Sequence, residues 1–583
     1  MENKNEYLLA LLDKLGSPLA IEDFRAIVDV LLGKSELFLG LEDLRDKLLF
    51  SIREKIYDYV KTGTLVDNSF INLWQLYKNA NLPKKEELDN FIYLFEKQYR
   101  LYCYDEKEKF IFLHLTFIFK ILNGDVDNSL RWFLGEHIYF HGQKYHEMDN
   151  QTQALKDFFS KISLSFDTLS EAISAALQRY FEVSKEERLG VVTWILGLYW
   201  NYGDFENHPL WKSKIYGVLL KLFEKCTLEE HIEEKMSLHF LMSHIYLNRA
   251  QTQEEFALFN EEVEQNATVF YEKWALQHPL TQAKKHSGAK HKIALLKDRI
   301  VENSPFKVEF SLLHVLLSEK EFVDKYEVYV YSMALIEKSL DDQKCIEKLE
   351  KLGVVVRQVA FESLNLYGYF QSHFTRALAI YDDMQKESID TAILATNNFP
   401  IGSFLFAARC APKQIFWSHG NFAYDIKGID KRISHFHREN PYTYERFDVS
   451  ILDEFHKPEE EKHKAMAKEI RKRWSEDIVV LGSIGRLVKM DNDEYISTIA
   501  QILKENPNTI YLACGSGHEE SIKQKLVKYD VPMDRFFFEG FVNAHVYGYV
   551  IDVYLNTFPE PSGEAVGEFL KKGEDKFVVS LEA

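Results

Sequence analysis

At residues 280–291 the stretch "LTQAKKHSGAKH" separates two kinds of text. Before it, "FRAIVDVLLGKSELFLGLEDLRDKLLFSIREKI" and "NFIYLFEKQYRLY" repeat apolar residues at spacings of three and four, which predicts amphipathic helices packed on one another. After it, short apolar runs alternate with helical stretches: "KIALL", "YEVYVYSM", "GVVVRQV", "TAILAT" and "KQIFWS". Strands separated by helical crossovers imply a parallel sheet covered on both faces. The charged segment 451–474 reads as a helical connector, and a second alternating series follows in "DIVVLGSIGRL", "TIYLACGSG", "RFFFEGF", "YVIDVYLNTF" and "KFVVSLE". The expected organisation is an all-α domain over 1–285 and two Rossmann-like domains over 286–450 and 451–583. The ligand cleft of such a pair lies outside the carboxyl ends of the strands.

Composition narrows the function. A formal net charge of -19 opposes nucleic acid as a general partner, so any anionic ligand must be held by local cations. The five cysteines are scattered without a CxxC pair, which suggests neither zinc nor a disulfide framework and fits a reducing, cytoplasmic setting. The amino terminus does not read as a signal peptide. The apolar stretches "GVVTWILGLYW" and "FIFLHLTFIFKIL" are too short to span a bilayer and read as buried helices.

Three strand-ending loops of the second series carry unusual chemistry. In "GSIGRLVKMD", Gly482 and Gly485 permit close backbone approach while Arg486 and Lys489 offer a forked donor and a mobile point charge, a combination suited to a diphosphate. In "ACGSGHE", Gly515 and Ser516 with Gly517 would let a nucleobase lie against the backbone, and Phe541 after the next strand is assigned to the same donor site. In "NTFPEPSGEAVGEFLKKG", a helix starting near Gly563 would present amides of the Ser562–Ala565 turn to phosphate. Glu568 would then take a ribose diol, and Glu560 would face the sugar. Glu564 reads equally as part of this site or as a solvated helix face.

The "GRL" with a nearby lysine, the later "GSG", and Glu560 and Glu568 spaced as E-x7-E resemble the nucleotide-sugar half of GT-B retaining glycosyltransferases. The pattern Asp552-x3-Asn556-x-Phe558-Pro559 is also similar to bacterial cytoplasmic protein N-glycosyltransferases of adhesins, relatives of O-GlcNAc transferase. The resemblance implies the GT-B layout, with the diphosphate on Arg486 and Lys489, the ribose on Glu568, and the sugar near Glu560 or Ser562 and Gly563. It also implies further helices beyond "KFVVSLEA", so the last domain reads as cut short. Two departures leave the subfamily and the stereochemical outcome open: Lys489 lies closer to Arg486 than in the common E-x7-E enzymes, and Glu560 and Glu564 stand where the adhesin enzymes carry amides and hydroxyls.

The other wall should come from the first series. His419 in "WSHGNFAYD" is placed to touch the sugar as hydrogen-bond donor or base, with Asn421 beside it, and "TNNFP" brings Asn397 and Asn398 to the same rim. The pair Asp491 and Asp493 resembles a metal-binding DxD, but its position before "EYISTIAQIL" favours an N-cap. No metal and no cofactor is called for. The expected protein transfers a sugar from a nucleotide sugar, with UDP as the favoured carrier, to a protein or glycan. The helical domain would serve as acceptor platform or oligomer surface. A UDP-sugar 2-epimerase and a non-catalytic scaffold with a degenerate GT-B fold are the alternatives.

Overall fold

The computed structural model describes residues 2–581 apart from 34, 65–67, 103–105, 140–158, 160–163, 203, 229, 251, 281–287, 289, 368–371, 437–441, 518 and 560. By compactness the chain divides into one unit ending at Leu198 and another beginning at Tyr199. The helices from Tyr216 to Gln277 thus belong with the sheets that follow them, although their text reads like the helical half.

The first unit is helical throughout its described residues. The helix Glu106–Leu122 holds "FIFLHLTFIFKIL", and Phe119 packs on Phe91 and Phe95 at ring separations of 5.4 and 5.2 Å. Its His114 is buried, and desolvation pushes the imidazole down to about 3. The buried carboxylate of Glu136 is satisfied by Arg100 at 3.0 Å, Arg179 at 2.8 Å and the Tyr99 hydroxyl at 3.1 Å. Among the described residues, no helix is long and apolar enough to cross a membrane.

The second unit is built on two parallel sheets. The first contains β1 (His291–Lys297), β2 (Tyr326–Ser332), β3 (Val355–Arg357), β4 (Thr391–Leu394), β5 (Lys413–Ser418), β6 (Lys431–Ser434) and β7 (Glu445–Arg446), in the order β3-β2-β1-β4-β5-β6-β7. The second contains β8 (Val479–Ile484), β9 (Thr509–Cys514), β10 (Phe536–Gly540), β11 (Val553–Leu555) and β12 (Phe577–Val579), in the order β10-β9-β8-β11-β12. Central strands such as β9 are buried at every position, as parallel strands covered by helices on both faces must be. β1 pairs β2 with His291 opposite Tyr326, and pairs β4 with Ile293 opposite Thr391.

Both sheets are doubly wound. The chain leaves β1 toward β2 and β3, then returns to β4 on the other side; it does the same from β8 to β9 and β10 before returning to β11. The reversals put a switch point between β1 and β4 and another between β8 and β11, and loops diverging there leave a crevice at the strands' carboxyl ends. Two details differ from the sequence reading. "YVIDVYLNTF" is split between the helix Ala544–Val550 and the three-residue strand β11, because the Asn543 side chain caps a helix there. The short strands β6 and β7 lack a long apolar run, yet they extend the first sheet at its edge.

Candidate functional site

The loops after β8 and β9 are zipped together. Gly485 N donates to Cys514 O at 2.9 Å and Leu487 N to Ser516 O at 3.1 Å. A Cβ at Gly515 would lie 1.7 Å from the Gly485 carbonyl oxygen, so glycine is required at 515 by contact between two backbones. The "GSG" spacing therefore has a packing reason of its own. Gly482 likewise faces the Ile551 side chain, 2.8 Å from where a Cβ would stand. Leu487 and Val488 are buried and anchor the loop, which leaves Arg486 and Lys489 on the cleft side.

A cavity of about 490 Å³ lies at the switch points of the two sheets. From the second sheet it is lined by Arg486, Lys489, Ser562, Gly563 and Glu564; from the first, by Asn397, Asn398, His419, Gly420 and Asn421. A third wall comes from the helix Ile232–Leu247 and the residues after it, including His244, Asn248 and Gln253. Arg486 Nη1 donates to Asn248 Oδ1 at 2.8 Å, and Asn248 Nδ2 to the Tyr199 hydroxyl at 3.1 Å. Lys489 Nζ donates to the Pro561 carbonyl at 3.1 Å. Solvent reaches Arg486 through the cavity, yet enough protein surrounds it that desolvation lowers its pKa.

The loop after β11 is shaped by side-chain bonds. Asn556 Oδ1 accepts from Ser562 N at 2.8 Å, and the Ser562 and Thr557 hydroxyls lie 3.0 Å apart. Gly563 has φ of 56°, and the short helix Glu564–Leu570 follows. Within that turn the Ala565 amide donates to Ser562 O and that of Val566 to Gly563 O. Ala565 is thus engaged in its own turn. Glu564 points to the first sheet, with Oε1 3.5 Å from His435 Nε2, and is no solvated helix face.

The first-sheet rim is wired internally. His419 lies against Trp417, with ring centroids 4.9 Å apart, and its Nε2 is 3.2 Å from Glu309 Oε1. Glu309 pairs with Lys297, both buried. Burial, then the neighbouring His435 and Lys297, hold the His419 imidazole well below its ordinary pKa, so it stays neutral. Asn421 Nδ2 donates to Asn398 Oδ1 at 2.7 Å, and Asn398 Nδ2 to Glu264 Oε1 at 3.1 Å. Glu264 also accepts from the Ser403 hydroxyl at 2.9 Å and lies 3.0 Å from His239 Nε2. Asn303 caps the helix Ser304–Ser318, its Oδ1 accepting from the Phe306 amide at 2.9 Å.

Several expected residues stand elsewhere. Glu568 does not line the cavity. It is held by Lys307 at 2.9 Å and His545 at 2.7 Å. Burial works against its charge, but the His545 bond and the Lys307 charge outweigh it and hold the carboxyl down at about 2. Gly485, Gly515 and Ser516 form the zipped loops and are not lining residues. Phe541 projects into solvent, 91% exposed, away from the cavity. Glu560 lies outside the described residues.

The expected cap at Asp491 or Asp493 is corrected. Asn492 between them caps the helix Asp493–Glu505, accepting from the Glu494 and Tyr495 amides. Asp491 meets Arg249 at 3.0 Å and Lys525 at 2.5 Å, and Asp493 meets Lys528 at 2.6 Å. Among the described residues, no group of three or more His, Cys, Asp or Glu is arranged to hold a metal ion.

Two doubly wound parallel sheets whose switch points open on one cavity, preceded by helices, are the layout of the GT-B class. No protein-family model and no curated protein sequence matches the chain. Among solved structures, it is similar to the Anabaena protein HepE in complex with UDP and glucose, at 15% identity and a TM-score of 0.33 over 50% of this chain and 81% of that one. A glycosyltransferase from Rickettsia africae matches at 13% identity and a TM-score of 0.34, over 50% of this chain and 79% of that one. The pneumococcal O-GlcNAc transferase GtfA, in complex with UDP and GlcNAc, matches at 11% and 0.30, over 51% and 85%. At these scores the fold class rests on the strand order and the shared cavity.

Proposed function

We propose that the protein is a glycosyltransferase that takes a sugar from a nucleotide sugar, with UDP as the carrier, and passes it to a hydroxyl or amide of a protein or glycan. The observation that carries this reading is the single cavity shared by Arg486 and Lys489 on one side and Asn397, His419 and Asn421 on the other. In this reading the two cations hold the diphosphate and stabilise the charge that develops as the glycosidic bond breaks. The neutral His419 contributes a hydrogen bond to the sugar or acceptor and is a poor base, since its imidazole resists protonation. The wired asparagines position the acceptor. Glu568 would contribute to the donor site by fixing the turn before it, because Lys307 and His545 already occupy its carboxylate.

The test is a thermal-shift screen of UDP-, GDP- and ADP-sugars on the full chain, beside Arg486→Ala and Lys489→Ala. One nucleotide class should stabilise the wild type by about 2.7 kcal/mol at a hundredfold excess over Kd, with most of that lost in both variants. Mass spectrometry of candidate acceptors should then show added hexose or N-acetylhexosamine. A wild type that no donor stabilises overturns the reading; a donor epimerised without any acceptor replaces transfer with epimerisation.

A further inference from the structure

We propose that Lys338, on the loop after β2, completes a diphosphate clamp with Arg486 and Lys489, so that the anionic part of a nucleotide diphosphate is gripped from both sheets. The proposal rests on the reading of the cleft as a nucleotide-sugar site and assigns it a binding residue from the opposite wall.

The loop is held firmly. Met333 N donates to Lys297 O at 2.8 Å, Leu335 N to Asp298 O at 3.0 Å, and Asp342 N to Ile300 O at 2.7 Å, which fastens it over the carboxyl end of β1. Arg376 donates to the Ala334 carbonyl and to both carboxylate oxygens of Glu337, at 3.2 and 2.5 Å. Both side chains of that ion pair are fully buried. Glu337 is the residue next to Lys338, and Arg376 consumes the charge that would otherwise neutralise the lysine. Among the described residues Lys338 makes no ion pair, and its side chain lines the cavity with Arg486 and Lys489.

The electrostatics point the same way. Lys338 is exposed on the hollow, where the surrounding protein still pushes its ammonium down to about 8, by desolvation first. Asp298 and Glu337 favour its charge, while Arg299 and Arg486 oppose it. Burial, then Lys338, Arg486 and Arg299, keep His244 on the third wall neutral. Among the described residues the carboxylates lining the hollow are Asp298 and Glu564, and Glu564 is turned to His435. Among the described residues Lys338 and Arg486 thus face the hollow without an ion pair, and Lys489 lines the same cavity. A diphosphate among them would replace mutual repulsion with charge-assisted hydrogen bonds.

Calorimetry on the full chain tests this, using UDP, with GDP and ADP alongside, and inorganic pyrophosphate. Lys338→Met should weaken both the nucleotide and pyrophosphate about tenfold or more, with Lys338→Arg keeping most of the affinity. Titrations at pH 8 in buffers of differing ionisation enthalpy should show wild type taking up as much as about half a proton, because the bound anion raises the Lys338 pKa; Lys338→Met should lose this uptake. The unliganded melting temperature of Lys338→Met should equal or exceed that of wild type, which separates lost binding from lost folding. Unchanged affinity and proton count in Lys338→Met, or weakened nucleotide with unchanged pyrophosphate, overturns the clamp. A wild type that binds neither nucleotide nor pyrophosphate overturns the cleft reading, and the clamp with it.

Discussion

The two sheets present their rims to one cavity but spend their polar groups differently. Around the first sheet, charged groups and amides are consumed by one another: Lys297 with Glu309 beside His419, and Asn421 with Asn398 and Glu264. Around the second, Arg486 and Lys489 donate to neutral oxygens of Asn248 and Pro561 and line the hollow. A buried polar group must be satisfied within the fold, whereas a charge facing solvent can wait for a ligand. The paired groups of the first rim are therefore rigid geometry, whereas Arg486 on the second, like Lys338 on the first, faces the hollow without an ion pair among the described residues.

The sharpest way to break this contrast is Glu309→Ala. It strands Lys297 in the interior and should cost roughly 3–5 kcal/mol, read from the urea midpoint of the second unit's transition in the full chain. A loss under 1 kcal/mol would mean the first rim is not held by its ion pairs.

Glu568 tests the boundary between the two kinds of rim, since it sits on the second sheet's helix and is paired like the first rim. Its folded pKa of about 2 lies below the ordinary 4.5, so its contribution is fully present above about pH 5 and fades as pH falls through 4.5 toward 2. Between pH 7 and pH 3 the wild type should lose roughly 2–3 kcal/mol that Glu568→Gln has already lost at neutral pH. Parallel pH profiles for the two proteins would remove Glu568 from the ion-paired class.

Arg486→Ala should weaken nucleotide binding by roughly 1.5–3 kcal/mol while moving the unliganded midpoint little. A large loss of folding stability instead would place Arg486 with the structural charges. Asn492→Ala removes a cap that does not line the cavity and should cost about 1 kcal/mol in stability with donor affinity unchanged. Phe541→Ser, on an exposed side chain outside the site, should stay within about 0.5 kcal/mol in stability and leave binding as it was.

Much of the fold was legible. The alternation of apolar runs and helical stretches after residue 291 marks both sheets, because a parallel strand buried on two faces needs an unbroken apolar run and a crossover needs a helix. Where a strand is short or at an edge, as in β6, β7 and β11, that signal fails. The basic loop after β8 was legible too, since two buried apolar residues between Arg486 and Lys489 turn both cations outward. The glycines of 515–517 were open to misreading. Glycine signals close approach, and sequence does not say whether a ligand or another backbone approaches.

Residue types and spacing determined that the chain holds two doubly wound units and that a basic loop ends the first strand of the second. Only the tertiary structure decided which charges remain for a ligand. Glu568, His419 and Asn398 carry suitable chemistry in the text, yet their partners Lys307, Glu309 and Glu264 are each more than a hundred residues away. Lys338 gave no motif; it lines the cavity, and the distant Arg376 takes the carboxylate beside it. Ionic and hydrogen-bond pairing depends on distance in space, and over such separations only the folded chain sets that distance.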